Sequence, residues 1–190
     1  HEAGLAYTDA DATWSDHVDG RGVVTSIGSI DIFTRGTYFL NYNYTDSNGN
    51  EAITVTRTVT VVDTIATILS IIGDQNITHE AGLVYSDANA TWSDHIDGNG
   101  MVTASESVDS NTPGNYVLSY NYTDSNGNTA STVTRTVTVV DTTAPQITLN
   151  GPLNLAHEAG QTYEDENATW TDLIDGNGTI MATGSVNINA

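Results

Sequence analysis

YVLSYNY (residues 116–122), DSNGN (124–128) and TVTRTVTVV (132–140) follow one another closely in the chain and decide its fold class. Tyrosine and leucine recur at every second position of the first segment, and valine and threonine alternate through most of the third. A period of two is typical of a β-strand with one buried face. The Asn-Gly pair between the segments supplies the positive φ angles that a tight hairpin turn requires. This stretch therefore predicts a β-hairpin.

The same hairpin pattern occurs 78 residues earlier in the chain, and the string HEAG begins at His1, His79 and His157. Residues 1–78 and 79–156 are identical at 49 of the 78 positions, and a third copy stops at residue 190. Divided at the joins, the chain gives a repeat lacking its first strand (1–63), a complete repeat (64–141) and a repeat truncated at its C-terminus (142–190). Because half-repeats would leave sheet edges uncovered, we expect a segment of a longer tandem array.

Within the complete repeat, short alternating segments are separated by turn residues, and no segment has a sustained helical period. About seven strands in 78 residues predict an all-β fold of two-sheet β-sandwich domains with Greek-key connections. We expect a turn at His79–Gly82 and a strand from Leu83 to Trp92. The three tryptophans are expected in the sandwich core, and Arg57 and Arg135 at a sheet edge beside an acidic neighbour.

Several motifs together resemble one known family. They are VVDTTAP (139–145), EAG (80–82), PGNY (113–116), YTDSNGN (122–128) and TRTVTVVD (134–141). The set resembles the bacterial immunoglobulin-like tandem repeats of surface adhesins and secreted proteins, which are similar to hyalin repeats. The resemblance implies an extracellular or cell-surface spacer or adhesive stalk, often calcium-dependent. The first join departs from the pattern, with Ile65-Ala66-Thr67 in place of Thr143-Ala144-Pro145, and this predicts a less rigid first junction.

The charge balance restricts the classes of partner. The chain has 24 Asp and Glu against 4 Lys and Arg, for a formal net charge of −20. Nucleic acids and anionic membranes need a basic surface, so neither nucleic-acid binding nor membrane insertion is expected. The absence of cysteine excludes disulfides and thiolate metal sites. No nucleophile motif or phosphate-binding loop is present, and we expect no enzyme activity.

The acidic residues recur at the same positions of each repeat. In an immunoglobulin-like sandwich, the loop after the second strand and the last hairpin lie at the pole that receives the preceding domain. The loop and hairpin of the middle repeat should therefore lie near the last residue of the first repeat, and the same logic applies one junction later. We expect Ca²⁺ between these oxygens, because converging carboxylates repel without a cation and Ca²⁺ takes six to eight oxygen ligands. The predicted ligands are Asp63, Asp94, Asp97, Asp124 and Asn126 at the first junction, and Glu80, Asp141, Asp172 and Asp175 at the second.

Two interpretations of function remain open at this point. The first is an extracellular structural or adhesive rod of calcium-stiffened repeats within a longer surface adhesin or fibre, whose partners are the neighbouring repeats. The alternative is a set of repeats that bind directly to a glycan, to ice or to identical chains in a filament, for which the row Thr132, Thr134, Thr136 and Thr138 is the candidate surface. Acidic loops of sandwiches are also commonly solvated, and DSNGN is in the first place a hairpin turn.

Overall fold

A computed structural model describes residues 1–189 and shows thirteen strands and no helix in that range. Accordingly, none of its elements is a helix that could cross a membrane. The all-β prediction is confirmed. The strands are β1 (Ala12–Asp16), β2 (Gly20–Val24), β3 (Gly36–Tyr42), β4 (Val55–Val61), β5 (Ile68–Ile71), β6 (Asn76–Glu80), β7 (Ala90–Asp94), β8 (Gly98–Val102), β9 (Gly114–Tyr120), β10 (Val133–Val140), β11 (Gln146–Leu149), β12 (Ala168–Asp172) and β13 (Gly176–Ile180).

The chain forms two compact units, and the boundary between them runs through the middle repeat. The first unit contains residues 1–70, 89–103 and 120–133. The second contains residues 71–88, 104–119 and 134–190. Each junction between consecutive repeats is therefore contained within one unit: residues 63 and 94–97 in the first, and residues 141 and 172–175 in the second.

The first repeat shows how two small sheets share a core. β1 pairs with β2 and β3 pairs with β4, both antiparallel. Leu40 and Tyr42 of β3 and Val59 of β4 are buried, and they pack against half-buried apolar side chains of the other hairpin and its flanking loops: Tyr7, Ala12, Val24 and Ile30. Alternate residues of β3 and β4 supply this core, as the period of two predicts.

The middle repeat has six strands in two sheets. One sheet has the order β5-β7-β8, and the other has the order β6-β10-β9. β10 lies between its neighbours and pairs in parallel with β6, in a register that joins Thr136 to Asn76 and Val140 to Glu80. An additional backbone hydrogen bond from Ser105 N to Ser119 O (3.1 Å) adds a short segment beside β9. The third repeat contributes the sheet β11-β12-β13.

Two local predictions differ from the structure. The expected strand from Leu83 to Trp92 begins only at Ala90. A short strand, β6, covers Asn76–Glu80, so that the turn expected at His79–Gly82 begins only after Glu80. Asn89 has a φ of 67°, a left-handed conformation that interrupts an extended segment just before β7.

Candidate metal centres at the repeat junctions

Three carboxylates from two consecutive repeats meet at the second junction. Asp141 directly follows β10, Asp172 ends β12, and Asp175 directly precedes β13. One oxygen of each lies within 4.8 Å of the others. Asp172 is half-buried, whereas Asp141 and Asp175 are exposed. The turn is fixed by Asp172, whose Oδ1 accepts hydrogen bonds from the N–H groups of Ile174 (2.8 Å) and Asp175 (2.9 Å). Three of the four residues predicted for this junction are therefore brought together.

The fourth, Glu80, is bound to the linker instead. Its carboxylate accepts hydrogen bonds from the N–H and hydroxyl groups of Thr142 (2.9 and 2.7 Å) and of Thr143 (3.0 and 2.7 Å). The hydroxyl and N–H of Thr142 make the largest contributions that lower the pKa of Glu80, to about 2. Four donors occupy this carboxylate, and it is not part of the cluster of three aspartates.

The first junction has a different hydrogen-bonding pattern. The Asp63 carboxylate accepts a hydrogen bond from Nδ2 of Asn126, and its backbone carbonyl accepts one from Nδ2 of Asn128 (3.2 Å). Asp63 and Asp124 are both buried. Burial raises the pKa of Asp124, but hydrogen bonds from Asn128 and from N–H groups of the turn outweigh it, and the pKa lies below its usual value. The hairpin thus supplies one donor to the carboxylate and one to the backbone carbonyl of Asp63, the last residue of the preceding repeat.

The remaining two aspartates predicted for the first junction stabilise loops. Oδ1 of Asp94 accepts the N–H groups of Ile96 (2.7 Å) and Asp97 (3.0 Å). Asp97 in turn accepts the N–H (2.6 Å) and hydroxyl (2.7 Å) of Ser125 and so joins this loop to the hairpin. Within residues 1–189, no set of three carboxylates comparable to that at the second junction occurs here.

One polar atom of the hairpin at the first junction lacks a hydrogen-bond partner. Among the described residues, Oδ1 of Asn126 is buried and accepts no hydrogen bond. A buried oxygen without a donor is unfavourable, and a cation would satisfy it. The residues that would hold a cation at this junction are therefore Asp63 and Asn126, whereas Asp94 and Asp124 have donors from their own loops and Asp97 has donors from Ser125 of the hairpin.

Comparison with known proteins identifies the family to which these domains belong. The family described as "Bacterial surface protein, Ig-like domain" matches residues 2–61 and 69–139. The chain belongs to this family. The two matched stretches correspond to the first two Ig-like repeats, so the resemblance found in the sequence is confirmed. No curated protein gives a significant match to the chain.

Each of the first two Ig-like repeats contains an ion pair between an arginine and an aspartate, with the arginine buried in the middle repeat and partly exposed in the first. Arg135 pairs with Asp87, and its guanidinium also donates to the carbonyls of Asp74 (3.0 Å) and Ile72. Its side chain is 0% exposed and lies on β10, the central strand of its sheet, so the predicted position at a sheet edge is wrong. The expected acidic neighbour is present. A buried cation with several acceptors is the arrangement that burial of charge requires.

The equivalent ion pair of the first Ig-like repeat is joined by a tyrosine, whose hydroxyl donates to the aspartate. Arg57 pairs with Asp9, whose two oxygens also accept the hydroxyl hydrogen bond of Tyr42 (2.9 and 2.8 Å). Desolvation and the bond to Asp9 raise the pKa of Tyr42 to about 12. The repeated aspartate at this position is thus explained by a structural network inside the domain and not by a junction.

The tryptophans of the Ig-like repeats also differ from the prediction. Trp14, Trp92 and Trp170 are half-buried and do not form the core. Trp14 stacks on Tyr44 with a centroid distance of 3.8 Å, and Trp92 stacks on Tyr122 at 4.3 Å. The rings lie close to glycines on the paired strand, because a Cβ added at Gly22 or Gly100 would be 2.7 Å from the indole nitrogen. Much of each ring is therefore already covered within its own repeat.

Proposed function

We propose that this chain is part of an extracellular rod of a bacterial surface protein, in which Ca²⁺ stiffens the junctions between consecutive Ig-like repeats. The family is named for bacterial surface proteins, which supports the location. Domains of this family are typically non-enzymatic, and the role proposed is structural or adhesive. The neighbouring repeats of the same chain are the principal partners.

The observation that carries the proposal is the meeting of Asp141 with Asp172 and Asp175. Asp141 belongs to one repeat and the other two belong to the next, so a cation held by all three would tie the repeats together. Three carboxylates at this distance repel each other when ionised. Ca²⁺ suits the set, because it accepts carboxylates in flexible geometry and completes its coordination with carbonyls and water. Dissociation constants of extracellular calcium modules are about 10⁻⁴–10⁻³ M.

Thermal unfolding with calcium and with EDTA tests this function. If the dissociation constant is about 10⁻⁴ M, calcium at a hundredfold excess over that value stabilises the folded chain by about 2.7 kcal/mol. Asp172→Asn should remove most of this effect. Asp16→Asn is the matched control, because Asp16 occupies the same turn of the first repeat and accepts the N–H groups of Val18 (2.6 Å) and Asp19 (2.9 Å). An equal response to calcium in the wild type and in Asp172→Asn would refute the proposal.

Magnesium separates calcium binding from general screening of negative charge. Mg²⁺ requires near-ideal octahedral geometry and loses its water reluctantly, so it should stabilise the wild type much less than Ca²⁺ at equal concentration. Equal effects of the two ions, also present in Asp172→Asn, would indicate screening of the acidic surface only.

Direct binding by the threonine row has less support. Thr134, Thr136 and Thr138 are half-buried on β10. The hydroxyl of Thr138 donates to Asn115 (2.8 Å), and that of Thr132 donates to Asn121. A flat row of exposed hydroxyls, which ice or glycan binding would use, is therefore not presented by this strand.

A further inference from the structure

The HEAG turn (residues 1–4 in the first repeat and 79–82 in the middle repeat) contacts the following repeat through its glycine. In the first unit, a Cβ added at Gly4 would lie 2.9 Å from Cβ of His95. In the second unit, a Cβ added at Gly82 would overlap the side chain of Leu173 and lie 3.3 Å from Cδ1 of Ile174. Residues 95 and 173 are equivalent positions in the loop between the paired strands β7–β8 and β12–β13. Two independent copies of the turn thus make the same contact.

The alanine and glycine of the turn are held in place by the repeat to which they belong. Ala3 and Ala81 are 1% and 2% exposed. The N–H of Gly4 donates to the carbonyl of Ile32 (2.8 Å), and the N–H of Gly82 donates to that of Ser110 (2.7 Å). Both glycines have positive φ angles, 74° and 78°. A side chain at either position would strain the backbone and also meet the next repeat.

The glutamate of the same turn fixes the linker. Oε1 and Oε2 of Glu2 accept the N–H (2.8 Å) and hydroxyl (2.7 Å) of Thr64, the residue after Asp63. Glu80 makes the equivalent bonds to Thr142 and two additional ones to Thr143. The turn therefore binds the linker through its glutamate and contacts the next repeat through its glycine.

We propose that the HEAG turn is a docking surface for the loop of the following repeat, and that this contact sets the direction between consecutive repeats in the absence of a cation. The partner is the next repeat's three-residue loop, as represented by residues 95–97 and 173–175. A cation at the junction then adds stiffness to a direction already selected by protein contacts. This inference is independent of the proposed calcium site, because none of its contacts requires a metal.

Gly4→Ala is the sharpest test, and the third turn provides its control. Gly160 has a φ of 79°, close to that of Gly4, and no heavy atom of the described residues lies within 4 Å of a Cβ added there. Gly4→Ala and Gly160→Ala therefore share the backbone strain, and they differ in the contact with a neighbouring loop. The clash at Gly4 involves Cβ of His95, which no change of side-chain rotamer can move.

The direction between repeats is measured by pulsed electron paramagnetic resonance on the full chain in EDTA. The chain has no cysteine, so cysteines introduced at the exposed positions Thr58 and Met101 can be spin-labelled without interference. We expect a narrow distance distribution for the labelled wild type and for Gly160→Ala, and a shifted or broadened one for Gly4→Ala. Identical distributions for Gly4→Ala and Gly160→Ala would overturn the inference.

Two further arms make each result interpretable. Adding His95→Gly to Gly4→Ala removes the opposing Cβ and should restore the narrow distribution, which shows that a shift arises from the contact and not from misfolding. Failure of that restoration, with the double variant folded, counts against the inference. Calcium is then added to the wild type: a distribution that is narrow in EDTA and unchanged by calcium would contradict stiffening at the first junction while leaving the docking role intact.

Discussion

At the scale of single residues, carboxylates of similar sequence context have distinct partners. Glu80 binds linker threonines, Asp87 binds a buried guanidinium, and Asp172 closes a turn while facing two other aspartates. The difference follows from the donors available to each carboxylate. Hydroxyl and N–H groups saturate Glu80, and a cationic side chain neutralises Asp87. Asp172, in contrast, has carboxylate oxygens that face the negative charges of two other aspartates.

The decrease in folding stability at acidic pH should depend on Glu80. Its folded-state pKa of about 2 lies below the ordinary value of 4.5, so its contribution is fully present above pH 4.5 and is lost as the pH falls towards 2. Glu80→Gln should be less stable than the wild type at pH 6, and the difference should shrink across that window. Urea midpoints measured from pH 6 to pH 2.5 test this. Glu158→Gln, in the third turn, is the control, and a constant difference for Glu80→Gln would contradict the assignment.

Breaking the buried ion pair of Arg135 should lower the free energy of unfolding more than breaking the partly exposed ion pair of Arg57. The side chain of Arg135 is 0% exposed and that of Arg57 is 35% exposed. Arg135→Met leaves Asp87 without its cation in a low-dielectric site, and we expect a loss of about 3–5 kcal/mol. Arg57→Met should cost about 1 kcal/mol or less, as exposed pairs do. Urea unfolding measures the loss of stability in both variants. Equal losses would mean that burial of the arginine does not determine how much stability the pair contributes.

At the scale of strands and turns, the sequence predicted those strands in which buried apolar residues alternate with other residues. β9 and β10 have alternating large apolar residues, and both were predicted within a residue or two. β6 was missed because Asn76–Glu80 is mostly polar: it joins the sheet through backbone pairing with β10, which leaves no periodic signal. The second junction's three aspartates were predicted from topology, whereas the burial of Arg135 depends on β10 being central, which the sequence alone did not indicate.

A glycine lies opposite each tryptophan in the paired strands, and a substitution at this glycine tests whether the ring depends on the close approach. Gly100 pairs with Trp92 across β7 and β8, and a Cβ there would lie 2.7 Å from the indole nitrogen. Gly100→Ala should displace the ring from its stack on Tyr122, change the tryptophan fluorescence and cost about 1–3 kcal/mol, as overpacking does. Asn99→Ala, one residue earlier on β8 and exposed, should leave the fluorescence unchanged. A fluorescence spectrum of Gly100→Ala identical to that of the wild type would show that the ring does not depend on this close approach.

At the scale of the whole molecule, the chain carries a large uncompensated negative charge. The net charge of −20 arises from 24 acidic side chains, and the structure shows ion pairs for two of the four arginines, Arg57 and Arg135, within residues 1–189. Repulsion among such charges destabilises the compact state. The proposed cation relieves this locally at a junction, and dissolved salt relieves it over the entire surface.

Monovalent salt should accordingly stabilise the folded chain. At 0.15 M ionic strength the screening length is about 8 Å, so repulsion between exposed acids on different loops is reduced, whereas the buried Arg135–Asp87 pair is little affected. We expect the urea midpoint to rise between 10 mM and 150 mM NaCl, to a similar extent in the wild type and in Asp172→Asn. A falling midpoint would mean that attractive pairs outweigh the repulsion.

The parallel pairing of β6 with β10 has a consequence for a chain under tension. The chain enters this ladder at Asn76 and leaves it at Val140, and the register joins Asn76 to Thr136 and Glu80 to Val140. Entry and exit therefore lie at opposite ends of the same ladder, and a pull applied at Asn76 and Val140 would slide the strands along each other. Sliding loads all the hydrogen bonds of the ladder simultaneously, whereas the antiparallel pair β7–β8 would open one bond after another. This ladder is thus arranged to resist a pull directed along its own strands.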